Sequence, residues 1–275
     1  GYDMRASSPV LAAAFAEGVM DQGLDVVRIG LASTDQLYFA SGLLNCPGAM
    51  FTASHNPAAY NGIKLCRAGA KPVGKDTGLT TISDEVIEGV PGYDGTRGTL
   101  SDRDVLVDYG QFLRSLVDVG SLRPLNVAVD AGNGMAGHTT PAVLGPIPSM
   151  TVFPLYFELD GTFPNHEADP TQKKNLTDLI ALVQKENLDL GVGYDGDADR
   201  IGVVDRHGNV IYGDQLLVIF AREILKRKPG ATFISEVKCS MVMYDDIRKQ
   251  GGNAIMWRTG HSLIKQKMAE MNFEV

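Results

Sequence analysis

Short β-branched runs alternate with amphipathic helical stretches along nearly the whole chain, and this alternation restricts the fold more than any other feature. Residues 24–31, 48–51, 63–66, 126–130, 188–192, 232–235 and 253–257 read as strands. Residues 10–21, 34–44, 101–117, 176–186, 216–228 and 241–249 read as helices, with a last helix opening at Ser262. Strands that alternate with helices pack as largely parallel sheets covered by those helices, so the class is α/β. Ser7 or Ser8 caps the first helix, Pro9 fits its first turn and Gly23 closes it; Asp104 is placed to cap the helix 101–117. Residues 201–205 and 209–212, split by Arg206-His207-Gly208, form a hairpin. The stretch 121–124 reads as a linker, which gives three successive units: 1–120, 121–209 and 210–275. The ending Asn272-Phe273-Glu274-Val275 reads as the opening of a further strand.

At 44% hydrophobic and 21% charged residues, 275 residues are enough for a sizeable core. No apolar run approaches the ~20 residues that span a bilayer. The net charge of −8 and the lack of basic stripes argue against nucleic acid as a partner, though a local field can still draw in an anionic substrate. Cys46, Cys66 and Cys239 are odd in number, widely spaced and without metal-ligand spacing, which fits buried thiols in a reducing, cytoplasmic setting.

The acidic run Asp195-Gly196-Asp197-Ala198-Asp199-Arg200 follows a strand and precedes the hairpin. Three carboxylates so close repel one another unless a cation lies among them, and Mg²⁺ or Ca²⁺ prefers an all-oxygen shell. An EF-hand would need Gly at the sixth position and Glu at the twelfth; Arg200 and Arg206 stand there. Arg200, planar and always charged, adds a holder for an anion. A metal and an anion in one place suggest phosphate chemistry.

Ser54-His55-Asn56-Pro57 begins just past a strand end, where α/β proteins bind ligands, although Ser54 and Asn56 read equally well as turn residues. The sequence Gly-x-Ser-x-Gly of serine hydrolases is absent here. Lys64 lies on the next short strand. Gly132-Asn133-Gly134-Met135-Ala136-Gly137 spells the dinucleotide fingerprint, with Glu158 and Asp160 downstream. Pro141, Pro146 and Pro148 leave room for only a short helix, so a tight turn is the better reading and a nicotinamide-dependent oxidoreductase the distant alternative. Lys238 follows one strand, and Trp257-Arg258-Thr259-Gly260-His261-Ser262 joins another to a helix whose N-terminus favours anions. Alone, His261 reads as a packing or capping residue.

Together these segments resemble the α-D-phosphohexomutases, in particular their phosphomannomutase/phosphoglucomutase branch. Thr52-Ala53-Ser54-His55-Asn56-Pro57 with Lys64 resembles the family's phosphoserine loop, and residues 195–200 its metal loop. Residues 237–240 and 258–262 resemble segments of its third domain. The resemblance implies α/β domains with mixed, largely parallel sheets around a central active-site cleft. It implies Ser54 as the phosphoryl carrier, and Asp195, Asp197 and Asp199 as Mg²⁺ ligands with a Ser54 phosphate oxygen completing the shell. Arg200 and His55 would contact the transferring phosphate; Lys64 and His261 would serve as general acid and base. Lys238, Arg258, Thr259 and Gly260 would meet the substrate.

The implied reaction converts a hexose 1-phosphate to the 6-phosphate through a bisphosphorylated sugar, with hexose 1,6-bisphosphate as activator. Phosphoglucosamine mutase is the nearer alternative. The family's opening segment, with an early arginine, is expected before Gly1, and its sugar-recognition loop and fourth domain after Val275. Neither the preferred sugar nor an oligomeric state follows from these residues.

Overall fold

The computed structural model describes residues 1–271, apart from the side chains of His261 and Ser262. The strand expected at 272–275 lies outside the described residues. The chain divides into two compact units, Gly1–Lys71 with Val86–Val210, and Pro72–Glu85 with Ile211–Val275.

The first unit begins with α1 (Ser8–Asp21), β1 (Val26–Arg28), α2 (Thr34–Leu44), β2 (Gly48–Phe51) and β3 (Ile63–Arg67). Pro9 occupies the first turn of α1, but Ser7 makes no side-chain cap and Ser8 Oγ donates to Asp3 instead. Ser33 caps α2 by accepting from Gln36 N–H, and Asn45 closes it in the left-handed conformation. β2 and β3 are antiparallel, so Met50 faces Lys64; β4 (Lys71–Pro72) follows β3 in the sheet order. Ile29, Ala32, Leu37, Ala40, Met50 and Val105 make one buried core.

Two expectations here need correction. The helix expected from Ser101 is instead a strand followed by a shorter helix: β5 (Leu100–Asp102) pairs in parallel with β1, and α4 spans Leu106–Ser115. The Arg28–Asp102 ion pair, at 2.6 Å, links the two strands, while Asp104 accepts from Leu106 N–H as anticipated for a cap. The strand read over 24–31 is only β1, three residues long. A helix that the sequence reading passed over, α3 (Leu79–Glu88), has β-branched residues at 80, 81, 82, 86 and 87, which weakens the helical signal.

The same unit continues with β6 (Leu125–Asp130), α5 (Ala136–Val143), β7 (Met150–Leu155), α6 (Thr177–Lys185), β8 (Leu190–Tyr194), β9 (Ile201–Asp205) and β10 (Val210–Ile211). Their sheet order is β10-β9-β8-β6-β7, with β6 parallel to β7 and β8, and β8 antiparallel to β9. The α6 residues Leu179 and Val183 pack with Ala128, Leu176, Leu188 and Val204. The acidic run thus connects two neighbouring antiparallel strands at the end where β6 also stops. α5 is eight residues long with Pro141 inside it, as the prolines require.

In the second unit α7 (Gly213–Arg227), β11 (Thr232–Glu236), α8 (Met241–Lys249), β12 (Asn253–Trp257) and α9 (His261–Glu270) follow in order. β11 and β12 are parallel and in register from Thr232↔Asn253 to Glu236↔Trp257. Ala221, Leu225, Phe233, Met243, Tyr244 and Ile247 form its core.

Candidate active site

Ser54 comes just after β2, with φ at +53° and 7% exposure. A residue with a Cβ is uncommon in this left-handed region. Here Thr52 Oγ1 accepts from Ser54 N–H at 2.9 Å, and Arg5 Nη2 donates to Ser54 O at 2.8 Å. The hydroxyl is aimed at the acidic loop: Ser54 Oγ donates to Asp195 Oδ2 at 2.5 Å. His55 Nδ1 lies 3.4 Å from the same hydroxyl oxygen, and His55 Nε2 lies 3.5 Å from Arg200 Nη1. Arg200 Nε is 4.0 Å from Asp195 Oδ2.

Asp195 and Asp197 are fully buried, and one oxygen from each of Asp195, Asp197 and Asp199 lies within 4.8 Å of the others. Asp195 Oδ1 accepts from the Asp199 and Arg200 N–H groups, both at 3.0 Å, which curls the loop. Asp197 Oδ2 accepts from Thr34 Oγ1 and from Lys64 Nζ, each at 2.5 Å. Lys64 Nζ also donates to Asp199 Oδ2 at 2.7 Å.

The titration behaviour follows from these partners. Burial first, then the charges of Asp197 and Asp199, push the Asp195 carboxyl up to about 7. Burial also penalises the Asp197 carboxylate, but the Lys64 ammonium outweighs it and holds Asp197 below its ordinary value. Burial works against the Lys64 charge as well; Asp197 and Asp199 reverse that and raise it.

A divalent cation fits this donor set. The oxygens are hard, converge from alternate positions, and include Asp197 Oδ1, which is buried without a hydrogen-bond partner. Asp195, held by its burial and its acidic neighbours in want of positive charge, is the second sign. Asp195, Asp197 and Asp199 are the residues placed to hold the ion, with Ser54 Oγ beside them.

The glycine-rich turn supports this loop. Met135 N–H donates to Gly196 O at 2.9 Å, so a backbone donor of the dinucleotide-like turn already has its acceptor. A Cβ on Gly196 would come within 2.4 Å of Ser54 O, and one on Gly134 within 2.8 Å of Gly196 O. The turn, the acidic loop and the serine loop are therefore stacked backbone on backbone.

In the second unit, Lys238 lies two residues past β11 and lines a cavity of about 650 Å³ with Asp214, Glu236, Cys239 and Ser240. Arg258 and Thr259 follow β12, beside β11, and are exposed. Lys238 and Arg258 thus extend the same carboxyl end of one parallel strand pair, a common ligand-binding edge. Gly260 has φ at +137° and caps α9, whose first residue is His261. The expected catalytic group of His261 lies outside the described residues.

Comparison with known proteins matches nearly the whole chain, the serine and acidic segments included. Models of phosphoglucomutase/phosphomannomutase α/β/α domains I, II and III match residues 1–89, 108–208 and 212–275. The chain is 41% identical over 271 residues to a phosphomannomutase/phosphoglucomutase of Pseudomonas aeruginosa, covering 98% of this chain and 57% of that protein. The chain belongs to the α-D-phosphohexomutase family. A phosphomannomutase of Escherichia coli is 37% identical over 279 residues, covering 98% of this chain and 61% of its own length. The crystal structure of a phosphoglucomutase/phosphomannomutase family protein from Burkholderia thailandensis superposes with a TM-score of 0.88 at 35% identity, over 99% of this chain and 60% of that one. The chain therefore spans just over half the length of these family members.

Within the family framework, the structure brings Ser54, His55, Lys64, Asp195, Asp197, Asp199 and Arg200 together in one unit. Sequence reading missed Thr34, which bonds Asp197, and Arg5, which bonds Ser54 O. The only sequence signal for Arg5 is the Asp3-x-Arg5 pairing at the head of an apolar helix; Thr34 read simply as the first residue of α2.

Proposed function

We propose that this chain acts as a Mg²⁺-dependent phosphomannomutase/phosphoglucomutase, interconverting hexose 1-phosphates and 6-phosphates. The observation that carries the proposal is the buried Ser54 hydroxyl bonded to Asp195 within a three-carboxylate cluster. In this reading Ser54 Oγ bears a phosphoryl group and a sugar hydroxyl attacks it. The O–P bond to Ser54 breaks, and the sugar carries two phosphates. The sugar then returns its other phosphate to Ser54. Phosphoryl transfer of this kind depends on positioning and neutralised charge rather than covalent help. A bound Mg²⁺ would supply that neutralisation beside Ser54.

The chain's own residues do the rest. Arg200 and His55, close to each other and to Ser54, hold the transferring phosphate. Lys64, within hydrogen-bond reach of Asp197 and Asp199, is assigned the general acid for the departing oxygen. His261 is assigned the base, contributing roughly 10²–10⁴-fold as such groups do. Lys238, Arg258, Thr259 and Gly260 bind the second phosphate and the sugar. A hexose 1,6-bisphosphate primes the serine.

Relatives 41%, 38% and 37% identical over nearly the whole chain carry phosphomannomutase and phosphoglucomutase names, which favours that branch over glucosamine phosphates. Three free cysteines support a cytoplasmic setting, and among the described residues no helix is long and apolar enough to cross a membrane. Coupled assays of the full-length protein with mannose, glucose and glucosamine 1-phosphates test the proposal. Turnover of the first two should exceed the third; preference for the glucosamine ester would overturn the branch, and no turnover of any would overturn the activity.

A further inference from the structure

The phosphoserine loop is organised around a single buried guanidinium that lies outside the expected catalytic set. Arg5 is 1% exposed and its partner Asp3 0%. An arginine has five N–H donors, and each one is used. Arg5 Nε donates to Asp3 Oδ2 at 3.2 Å. Arg5 Nη1 donates to Pro57 O at 2.9 Å and Tyr60 O at 3.2 Å. Arg5 Nη2 donates to Ser54 O at 2.8 Å and Asn56 O at 2.7 Å. The guanidinium also lies over the Phe163 ring, 5.1 Å from its centre.

Four of the five acceptors are carbonyls of the loop that carries Ser54, about fifty residues away in sequence. Stapling the first residues of the chain would not require this choice of partners. A buried ion pair is weak evidence for stability as such, since packed apolar side chains can do as well. What only a planar fork can do is hold several carbonyl oxygens at fixed directions. Ser54 needs such help, because its left-handed backbone (φ +53°) is strained and persists only where the surroundings over-determine it. Its carbonyl is pinned from two sides, by Arg5 Nη2 and by the close approach of Gly196. Carbonyl oxygens held on a cation are also kept from turning toward a phosphoryl group on Oγ, which they would repel.

We propose that Arg5 is a positioning residue for phosphoryl transfer: it fixes the backbone of the serine loop so that Ser54 Oγ keeps its aim at the acidic cluster. This inference rests on the proposed mutase activity, and its test separates the two. In the full-length protein, Arg5→Lys keeps the charge and loses the fork, while Arg5→Ala leaves room for free guanidinium ion. Misplacement by about 1 Å can cost ~10²-fold, so kcat and the rate of Ser54 phosphorylation by hexose 1,6-bisphosphate should fall by about that factor in Arg5→Ala and by less in Arg5→Lys. KM and the Mg²⁺ concentration for half-maximal activity should stay near wild type. Guanidinium chloride at a non-denaturing concentration should restore part of the Arg5→Ala rate, and urea should not.

Should the Arg5 variants fail to fold, Asp3→Asn, which loosens the anchor, should show the same kcat-selective loss to a smaller degree. Inactive wild type would refute the mutase reading instead. Active wild type, with folded variants that phosphorylate Ser54 at the normal rate, would overturn the role of Arg5. Loss in KM and metal response together with kcat would do the same.

Discussion

Ser54 Oγ donates to Asp195 Oδ2 at 2.5 Å, joining residues 141 positions apart in the chain. The bond ties the turn after β2 to the loop between β8 and β9, so a nucleophile-like hydroxyl and a metal-type carboxylate cluster form one site.

The hydroxyl is therefore expected to be indispensable while its contribution to stability is small. Ser54→Ala in the full-length protein should reduce mutase activity to background. The midpoint of thermal unfolding should stay within a few degrees, because one hydrogen bond is worth about 1 kcal/mol. Retained turnover would contradict the phosphoserine mechanism.

Asp197 Oδ2 is bonded by Lys64 and Thr34, while its Oδ1 is buried without a hydrogen-bond partner and fits a cation. Asp197→Asn removes one of the two carboxylates bonded to the Lys64 ammonium and should destabilise the protein by about 3 kcal/mol, the low end for breaking a buried pair. Mg²⁺ should raise the melting temperature of wild type after chelator treatment and fail to do so in the variant. Calorimetric titration with Mg²⁺ checks the binding independently.

Gly196 tolerates no side chain. Gly196→Ala would put a Cβ 2.4 Å from Ser54 O, so the serine and acidic loops must separate. A stability loss of about 1–3 kcal/mol is expected for such overpacking, with activity falling further than stability. Differential scanning calorimetry beside the coupled assay measures both.

The His166–Asp130 pair predicts a pH dependence away from the metal loop. His166 Nε2 lies 3.0 Å from Asp130 Oδ2 and Nδ1 lies 2.9 Å from Glu167 O, so the doubly protonated ring satisfies both acceptors. Burial pulls the ring's pKa down, but the hydrogen bonds to Asp130 and Glu167 outweigh it and the value is raised. A raised folded-state pKa stabilises fully below the unfolded value of about 6.5, and the benefit fades as pH rises through the folded one. His166→Gln should therefore cost about 1–2 kcal/mol at pH 5.5 and distinctly less at pH 8.5. Equal losses at both values, in melting curves, would contradict this.

Much of the frame was legible because it rests on periodicity. The helix 34–44, the strands 48–51 and 253–257 and the helix 241–249 stand where their patterns place them. The stretch from Ser101 was misread because Ser101 and Asp102 are stabilised by pairing with β1 and Arg28, a partner remote in sequence. For the site, residue type and spacing pointed to the acidic cluster, since three alternating carboxylates have few other uses, whereas Ser54 read equally well as a turn residue and was singled out by the family resemblance. Arg5 and Thr34 were not legible. Their significance comes from folding alone, which delivers a guanidinium to carbonyls some fifty residues away and a hydroxyl to a carboxylate 163 residues away.

The central claim is that Ser54 carries the phosphoryl group. Peptide mass spectrometry of the full-length protein, before and after incubation with hexose 1,6-bisphosphate and with glucose 6-phosphate, tests it directly. The account predicts one phosphoryl group on the peptide containing Ser54, localised to that hydroxyl and gained or lost at a rate that matches turnover. An active enzyme with an unmodified Ser54 throughout, or with its phosphate on another residue, would contradict it.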